Sequence, residues 1–220
     1  ARQSTRLDAF LVSTDSEAIA RAAEKEGVPV PFLRPPALAA DETSMAAVLR
    51  HAIEWYERQS GRTVHSVVTL QPTTPMRTGD DIDAAIARYL AHQPEADSLV
   101  SVCEAGQMHP LTLYRASGEY AEPLLRGRLQ TTRRQEFERT WWRNGAVYIT
   151  RRDLLFGTGQ VVGARPLAYE MPRERSVNID EWADLELAEW RMSRCAAAPS
   201  ATATPLNVAD QGESSCRVEQ

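Results

Sequence analysis

Between residues 7 and 102, short apolar runs alternate with amphipathic helical stretches, and nothing else in the chain restricts its fold as much. The runs cover 7–13, 28–32, 64–70 and 98–102, each the length of a buried strand. A Thr14-x-x-Glu17 capping box predicts a helix over 16–26, stopped by Gly27. A longer helix starts at 41–44 and carries Met45, Val48, Leu49, Ala52, Ile53 and Tyr56 at i, i+3, i+4 spacing before Gly61. A third, over 80–91, carries Ile82, Ala85, Ile86 and Tyr89. Strand, helix and strand in this succession make βαβ units, so the expected fold is α/β with a mostly parallel sheet between helical layers.

The pattern changes after Cys103. Residues 109–115 and 143–150 alternate as strands, whereas 120–140 is polar and arginine-rich with no clean period. So long a stretch without structure does not suit a compact domain. It reads as an arm, about 115–142, that packs against something else such as a second subunit. A last strand is expected over 165–171. A last helix follows over 180–192, with Trp182, Leu185, Ala188 and Met192 as its apolar stripe. From Cys195 to Gln220 there are few large apolar side chains and no period, as in a disordered tail. One domain over 1–194 and a tail over 195–220 is the expected organisation.

Charge removes several function classes. Lys+Arg 25 against Asp+Glu 30 leaves a net charge of -5, which does not suit a partner such as DNA or RNA. No apolar run approaches the ~18 residues of a membrane span. The opening ARQSTRLD is not followed by the apolar stretch of a secretory signal. Three cysteines (Cys103, Cys195, Cys216) without a CxxC pair fit a reducing compartment and no zinc site. A cytoplasmic protein is expected. Lys25 is the one lysine among the basic residues, so chemistry that needs a lysine has a single candidate.

In open α/β sheets ligands bind beyond the carboxyl ends of the strands. That rim would hold Ser13-Thr14-Asp15, Gln71-Pro72-Thr73-Thr74-Pro75 and Val102-Cys103-Glu104. Gln71 offers an amide donor and acceptor at a turn stiffened by prolines, suited to sugar hydroxyls or an N-acyl group; it can equally satisfy the backbone of its own loop. In Ser176-Val177-Asn178-Ile179-Asp180, apolar Val177 and Ile179 turned inward would set Asn178 and Asp180 together on the other face. Two such oxygen ligands suit Mg²⁺ completed by substrate phosphates; alternatively Asp180 caps the last helix. The glycines at 157, 159 and 163 lack GxGxxG spacing and read as a turn. The four histidines form no ligand pair, and no serine lies in a GxSxG elbow.

Several segments together resemble the N-acylneuraminate cytidylyltransferases. They are Val12-Ser13-Thr14-Asp15-Ser16, Leu33-Arg34-Pro35, Leu38-Ala39-Ala40-Asp41, Leu70-Gln71-Pro72-Thr73-Thr74-Pro75-Met76-Arg77-Thr78, Arg134-Gln135, Asn144-Gly145-Ala146-Val147-Tyr148-Ile149, and Ser176-Val177-Asn178-Ile179-Asp180 with Asp184. They keep the family's order and spacing over about residues 5–192. The resemblance implies a Rossmann-like nucleotidyltransferase fold, a three-layer αβα sandwich with a dimerisation arm. It also implies the joining of CTP to a nonulosonic, sialic acid-type sugar, giving CMP-sugar and pyrophosphate, in a homodimer that uses Mg²⁺ or Mn²⁺. By the same resemblance Gln71 orients the sugar, Asn144 and Tyr148 line its pocket, and Arg34 serves the nucleotide region. Arg134 reaches the sugar carboxylate of the neighbouring subunit, and Asp180, with Asn178, holds the metal.

Two departures from the family stand out. Its first strand and Gly-rich loop, which bears Arg and Lys and holds the triphosphate, would precede Ala1, and Lys25 sits within a helix. Asn178 stands where the family has the first of two acidic metal ligands. The expectation is that the chain as written turns over little CTP. The alternative to an enzyme is a truncated or degenerate, non-catalytic relative that dimerises with or regulates a working one.

Overall fold

The computed structural model describes residues 1–40, 42–125 and 137–195. Its elements follow the sequence period. Helix α1 (Glu17–Lys25) is capped by the Ser16 hydroxyl, which accepts from the Ile19 amide. The expected cap, Thr14, lies two residues earlier, its hydroxyl accepting from the Ser16 amide at 3.1 Å. Helix α2 (Met45–Ser60) starts at Ser44 and ends on Gly61 in the left-handed region, a conformation that glycine adopts without a Cβ penalty. Helix α3 (Gly79–Ala91) opens on a full capping box between Thr78 and Asp81.

A four-stranded sheet has the order β1-β5-β2-β6, built from β1 (Ser66–Thr69), β2 (Ser98–Glu104), β5 (Trp141–Arg151) and β6 (Pro166–Glu170). Strands β1, β2 and β6 share one direction. Strand β5 enters between β1 and β2 and runs against both, so β2 and β6 form the parallel pair and the sheet is mixed. A separate hairpin, β3 (Tyr114–Ser117) and β4 (Tyr120–Pro123), stands exposed before the stretch at 126–136. The remaining helices are α4 (Arg152–Thr158) and α5 (Trp182–Cys195).

The largest core cluster sets α3 (Ile82, Ala85, Ile86, Tyr89) against Leu99, Val147, Ile149 and Tyr169 of the sheet. A second sets α2 (Ala46, Leu49, Ile53) against Leu155 of α4, with Val67 of β1 packed alongside. Among the described residues no helix is long and apolar enough to cross a membrane.

Several expectations differ from the structure. Residues 7–13 and 28–32 form no strand; the Val12 amide donates to the Pro29 carbonyl at 2.9 Å, and Thr14 and Leu33 make a lone parallel bridge. Pro29 and Pro31 lack the N–H groups that would carry the ladder further. Residues 109–113 are not strand either. Short 3₁₀ turns occupy Gly106–Met108 and Pro110–Thr112, and the buried His109 ring bonds the Leu111 amide and the Glu138 carbonyl. Gly157, read from sequence as part of a turn, lies within helix α4, which ends on Gly159 in the left-handed region and carried no sequence signal beyond Leu154, Leu155 and Phe156. In α5, Ala188 is buried but Trp182 and Met192 are exposed, so the inward stripe is narrower than its apolar residues imply. Position 195, placed in the tail, closes α5 instead; the rest of the expected tail and most of the arm's polar stretch lie outside the described residues.

Candidate functional site

Because β1, β2 and β6 point the same way, their carboxyl ends share one rim, and the chain departs there into the turn after Thr69, the loop after Glu104 and the loop after Glu170. The antiparallel β5 brings its first half to the same rim. There its pairing with β2 breaks. Register runs from Ser98↔Thr150 to Val100↔Tyr148 and resumes only at Val102↔Arg143. Asn144, Gly145, Ala146 and Val147 thus lie opposite Ser101 alone, a wide bulge of the kind that re-aims groups beside functional sites.

The bulge is held by buried polar groups. The Ser101 hydroxyl donates to Asn144 Oδ1 at 2.6 Å and accepts from the Val147 amide at 2.8 Å. Asn144 is 1% exposed, and its Nδ2 donates to the Ser176 hydroxyl at 2.8 Å. Gly145 takes φ of 76°, which a side chain would strain. Gln71 lies directly over it: a Cβ on Gly145 would come within 2.6 Å of Gln71 Oε1.

The turn itself is tied to the bulge from below. Buried Thr74 sets its hydroxyl 3.2 Å from the Gly145 carbonyl and 3.1 Å from that of Gln71. Arg77 Nη1 reaches the carbonyls of Gln71 (2.7 Å), Thr74 (2.8 Å) and Ala146 (3.2 Å), donating also to the Thr74 hydroxyl. Burial pulls the Arg77 guanidinium down to about 10, still protonated at neutral pH. Among the described residues no carboxylate pairs with it.

The segment 176–180 completes the rim. The Ile179 amide donates to the Thr73 carbonyl at 2.8 Å, which docks this segment on the Gln71 turn. Asn178 Nδ2 donates to Asp180 Oδ2 at 2.6 Å. The cap of α5 is not Asp180. The Asp184 carboxylate accepts from the Asp180 and Glu181 amides, each at 3.0 Å, so the Asp180 carboxylate stays exposed beside Asn178. Among the described residues no three His, Cys, Asp or Glu side chains gather as a metal cage.

Next to this rim, a cavity of about 250 Å³ opens between the ends of β2 and β6. Cys103, Glu104, Glu170, Met171, Arg173 and Glu174 line it, and Arg139 bridges Glu104 and Glu170 at 3.5 and 3.4 Å. Burial pushes the Cys103 thiol up, which keeps it protonated and unreactive.

The structure therefore joins Gln71, Asn144, Asn178 and Asp180 in one bonded rim. Asn144 takes part as a buried strut, both ends of its amide engaged within the fold. Tyr148 is half-buried in the regular part of β5, opposite Thr69 and Val100. Arg34 stands on the N-terminal segments. Its Nη2 donates to Asp15 at 2.6 Å, and that bond holds the Asp15 carboxyl below the usual range. Arg134 lies outside the described residues. Sequence reasoning assigned no role to Thr74, Ser101, Arg77 or Ser176, although Ser101, a polar residue inside the apolar run 98–102, was a signal.

The sequence pattern of the family described as "Cytidylyltransferase" matches residues 1–162. The N-acylneuraminate cytidylyltransferase of Streptococcus agalactiae serotype V is 29% identical over 172 residues, 78% of this chain and 39% of that protein. The enzyme of that name from Escherichia coli O18:K1:H7 is 29% identical over 188 residues, 86% of this chain and 43% of the relative. The chain thus spans about two fifths of the length of these curated relatives. Among solved structures, a CMP:2-keto-3-deoxy-manno-octonic acid synthetase complexed with CTP superposes with a TM-score of 0.59 at 16% identity. The match covers 90% of this chain and 85% of that one, a likeness of fold.

Proposed function

The chain belongs to the cytidylyltransferase family, with the nucleotidyltransferase fold, and from that premise we propose that it activates a nonulosonic, sialic acid-type sugar with CTP. The observation that supports this most is the single bonded rim. The Gln71 turn, the Asn144-Gly145 bulge and the 176–180 segment are locked together at the carboxyl ends of the sheet, where such folds bind ligands.

In the proposed reaction the anomeric hydroxyl of the sugar bonds to the α-phosphorus of CTP. The bond from that phosphorus to the bridging oxygen breaks, pyrophosphate leaves, and the hydroxyl gives up its proton. Little covalent work falls to the protein, and rate comes from alignment and from neutralising charge. Gln71, held over Gly145, presents a carboxamide whose donor and acceptor fit sugar hydroxyls or an N-acyl group. Asn144 keeps the bulge rigid beneath it. Arg34 serves the nucleotide side, Tyr148 the sugar side, and Arg134 the sugar carboxylate, from the neighbouring subunit of a homodimer.

Mg²⁺ or Mn²⁺ belongs to the proposal. Exposed Asp180 with Asn178 beside it fits an ion that takes one carboxylate from the protein and its other ligands from water and phosphates. A half-turn of the Asn178 amide would present its oxygen in place of its nitrogen. When bound, the ion would offset the charge of the triphosphate. Cys103, a buried free thiol, fits a cytoplasmic setting.

The test is formation of CMP-sugar and pyrophosphate from CTP and a panel of eight- and nine-carbon 2-keto sugar acids. Product with at least one of them, lost on omission of divalent cation, is expected. CTP binding without product from any of them would replace the enzyme reading by that of a non-catalytic partner.

A further inference from the structure

We propose that Asp81 and Arg175, assigned no role above, are positioning residues that set where Asp180 and Asn178 stand. The inference rests on the proposed function only in what it says about turnover. Asp81 is 2% exposed, and its carboxylate is used from every side. Oδ2 accepts from the Thr78 amide at 2.8 Å and the Thr78 hydroxyl at 3.0 Å, which caps α3. Oδ1 accepts from Arg175 Nη2 at 2.7 Å and from the Tyr169 hydroxyl at 3.3 Å.

Capping α3 does not need Arg175. A buried ion pair is costly to desolvate, and well-packed apolar residues would often stabilise as much, so this pair is weak as a stability device. What it does is geometric. Arg175 ends the short 3₁₀ turn Arg173–Arg175 and immediately precedes Ser176. From there three bonds fix the segment in succession: Arg175 to Asp81 of α3, Ser176 to Asn144 of the bulge, and the Ile179 amide to Thr73 of the turn. The last two anchors belong to the rim itself, whereas the first lies outside it on α3. Asp81 sits in the main core cluster's helix, so its bond to Arg175 refers the whole segment to the rigid body of the fold.

The contact runs through one guanidinium nitrogen, Nη2, to one carboxylate oxygen, Oδ1, while the other oxygen caps α3. Tyr169, on β6, closes the arrangement. Burial and the neighbouring Asp81 carboxylate push its hydroxyl well above the ordinary phenol range, so it acts as a donor throughout the physiological range.

The test is amide hydrogen exchange on the intact protein, comparing Arg175→Met with Leu49→Ala, which truncates the separate cluster beneath α2. After correction for each variant's global stability, protection of the Ile179 amide should fall about tenfold further in Arg175→Met, the factor for one lost hydrogen bond. Equal protection in the two variants would reduce the pair to ordinary stabilisation and overturn the inference. Should Arg175→Met fail to fold, Arg175→Lys keeps the cation. A smaller loss centred on the Ile179 amide supports positioning, and a uniform one overturns it.

Turnover separates this inference from the function it serves. If the wild type makes CMP-sugar, half-saturation by Mg²⁺ should move to higher concentration in Arg175→Met; an unchanged Mg²⁺ profile with unchanged local exchange refutes positioning alone. Local loss of protection in a protein that makes no CMP-sugar upholds positioning and refutes the proposed function.

Discussion

Adding a single methyl group at Gly145 tests whether Gln71 is the sugar-orienting group. Gly145→Ala brings two separable effects. The residue has φ of 76°, where a Cβ costs about 1–2 kcal/mol. For a domain of this size that is a fall in Tm of roughly 2–8 °C. The new Cβ would also lie 2.6 Å from Gln71 Oε1, the far end of a flexible side chain, and 3.5 Å from Thr74 Cγ2, an ordinary contact. Gln71 would therefore swing away at little cost in stability, and the loss would fall on the ligand. Leaving a sugar polar group without its partner is worth about 1–3 kcal/mol, roughly 5- to 150-fold in kcat/KM for the sugar.

Gly118 supplies the control. It has φ of 60° in the β3–β4 hairpin with nothing within 4 Å of a built Cβ, so Gly118→Ala carries the strain without the collision. Thermal unfolding and sugar kinetics on both variants decide the matter. Both should lose similar Tm, and only Gly145→Ala should lose sugar turnover. Combined with Gln71→Ala it should lose little more, since both act on one group. Equal kinetics in the two glycine variants would refute the placement of Gln71 in the sugar half of the site.

Other expectations follow from the same geometry. Gln71→Ala alone should weaken the sugar step by about 1–3 kcal/mol and leave CTP binding nearly unchanged, as isothermal titration with CTP and sugar kinetics would show. Asn178→Asp should lower the Mg²⁺ concentration needed for half-maximal turnover, by adding a second carboxylate to the position that Asp180 shares. The Asp15 carboxyl is held below its ordinary range by its bond from Arg34. Its contribution is complete above the unfolded value near 4 and is lost as pH falls through the lower folded value. Thermal unfolding from pH 5 to 3 should therefore fall less steeply in Asp15→Asn than in the wild type. On the proposed reading the arm packs in a two-fold dimer, so sedimentation should show a mass twice that of the chain; a stable monomer at all concentrations would remove that part of the reading.

Periodicity determined much of this protein by itself. Helices α1, α2, α3 and α5 and strands β1, β2 and β6 follow from apolar spacing and capping residues, because each is a local matter of which face can be buried. The resemblance carried by the Leu70–Thr78 and Asn144–Ile149 stretches pointed to the right family. Tertiary structure decided the rest. No local pattern says that β5 inserts between β1 and β2 and runs against them, since strand neighbours are chosen by long-range packing. Nor does any pattern show that Asn144 faces inward as a strut while Gln71 rests on Gly145. The bulge that arranges them exists only in the pairing of β5 with β2. Asp81 caps α3 with one carboxylate oxygen, and that is half of what it does. Its other oxygen faces a guanidinium 94 positions later, which only the folded chain brings within 2.7 Å.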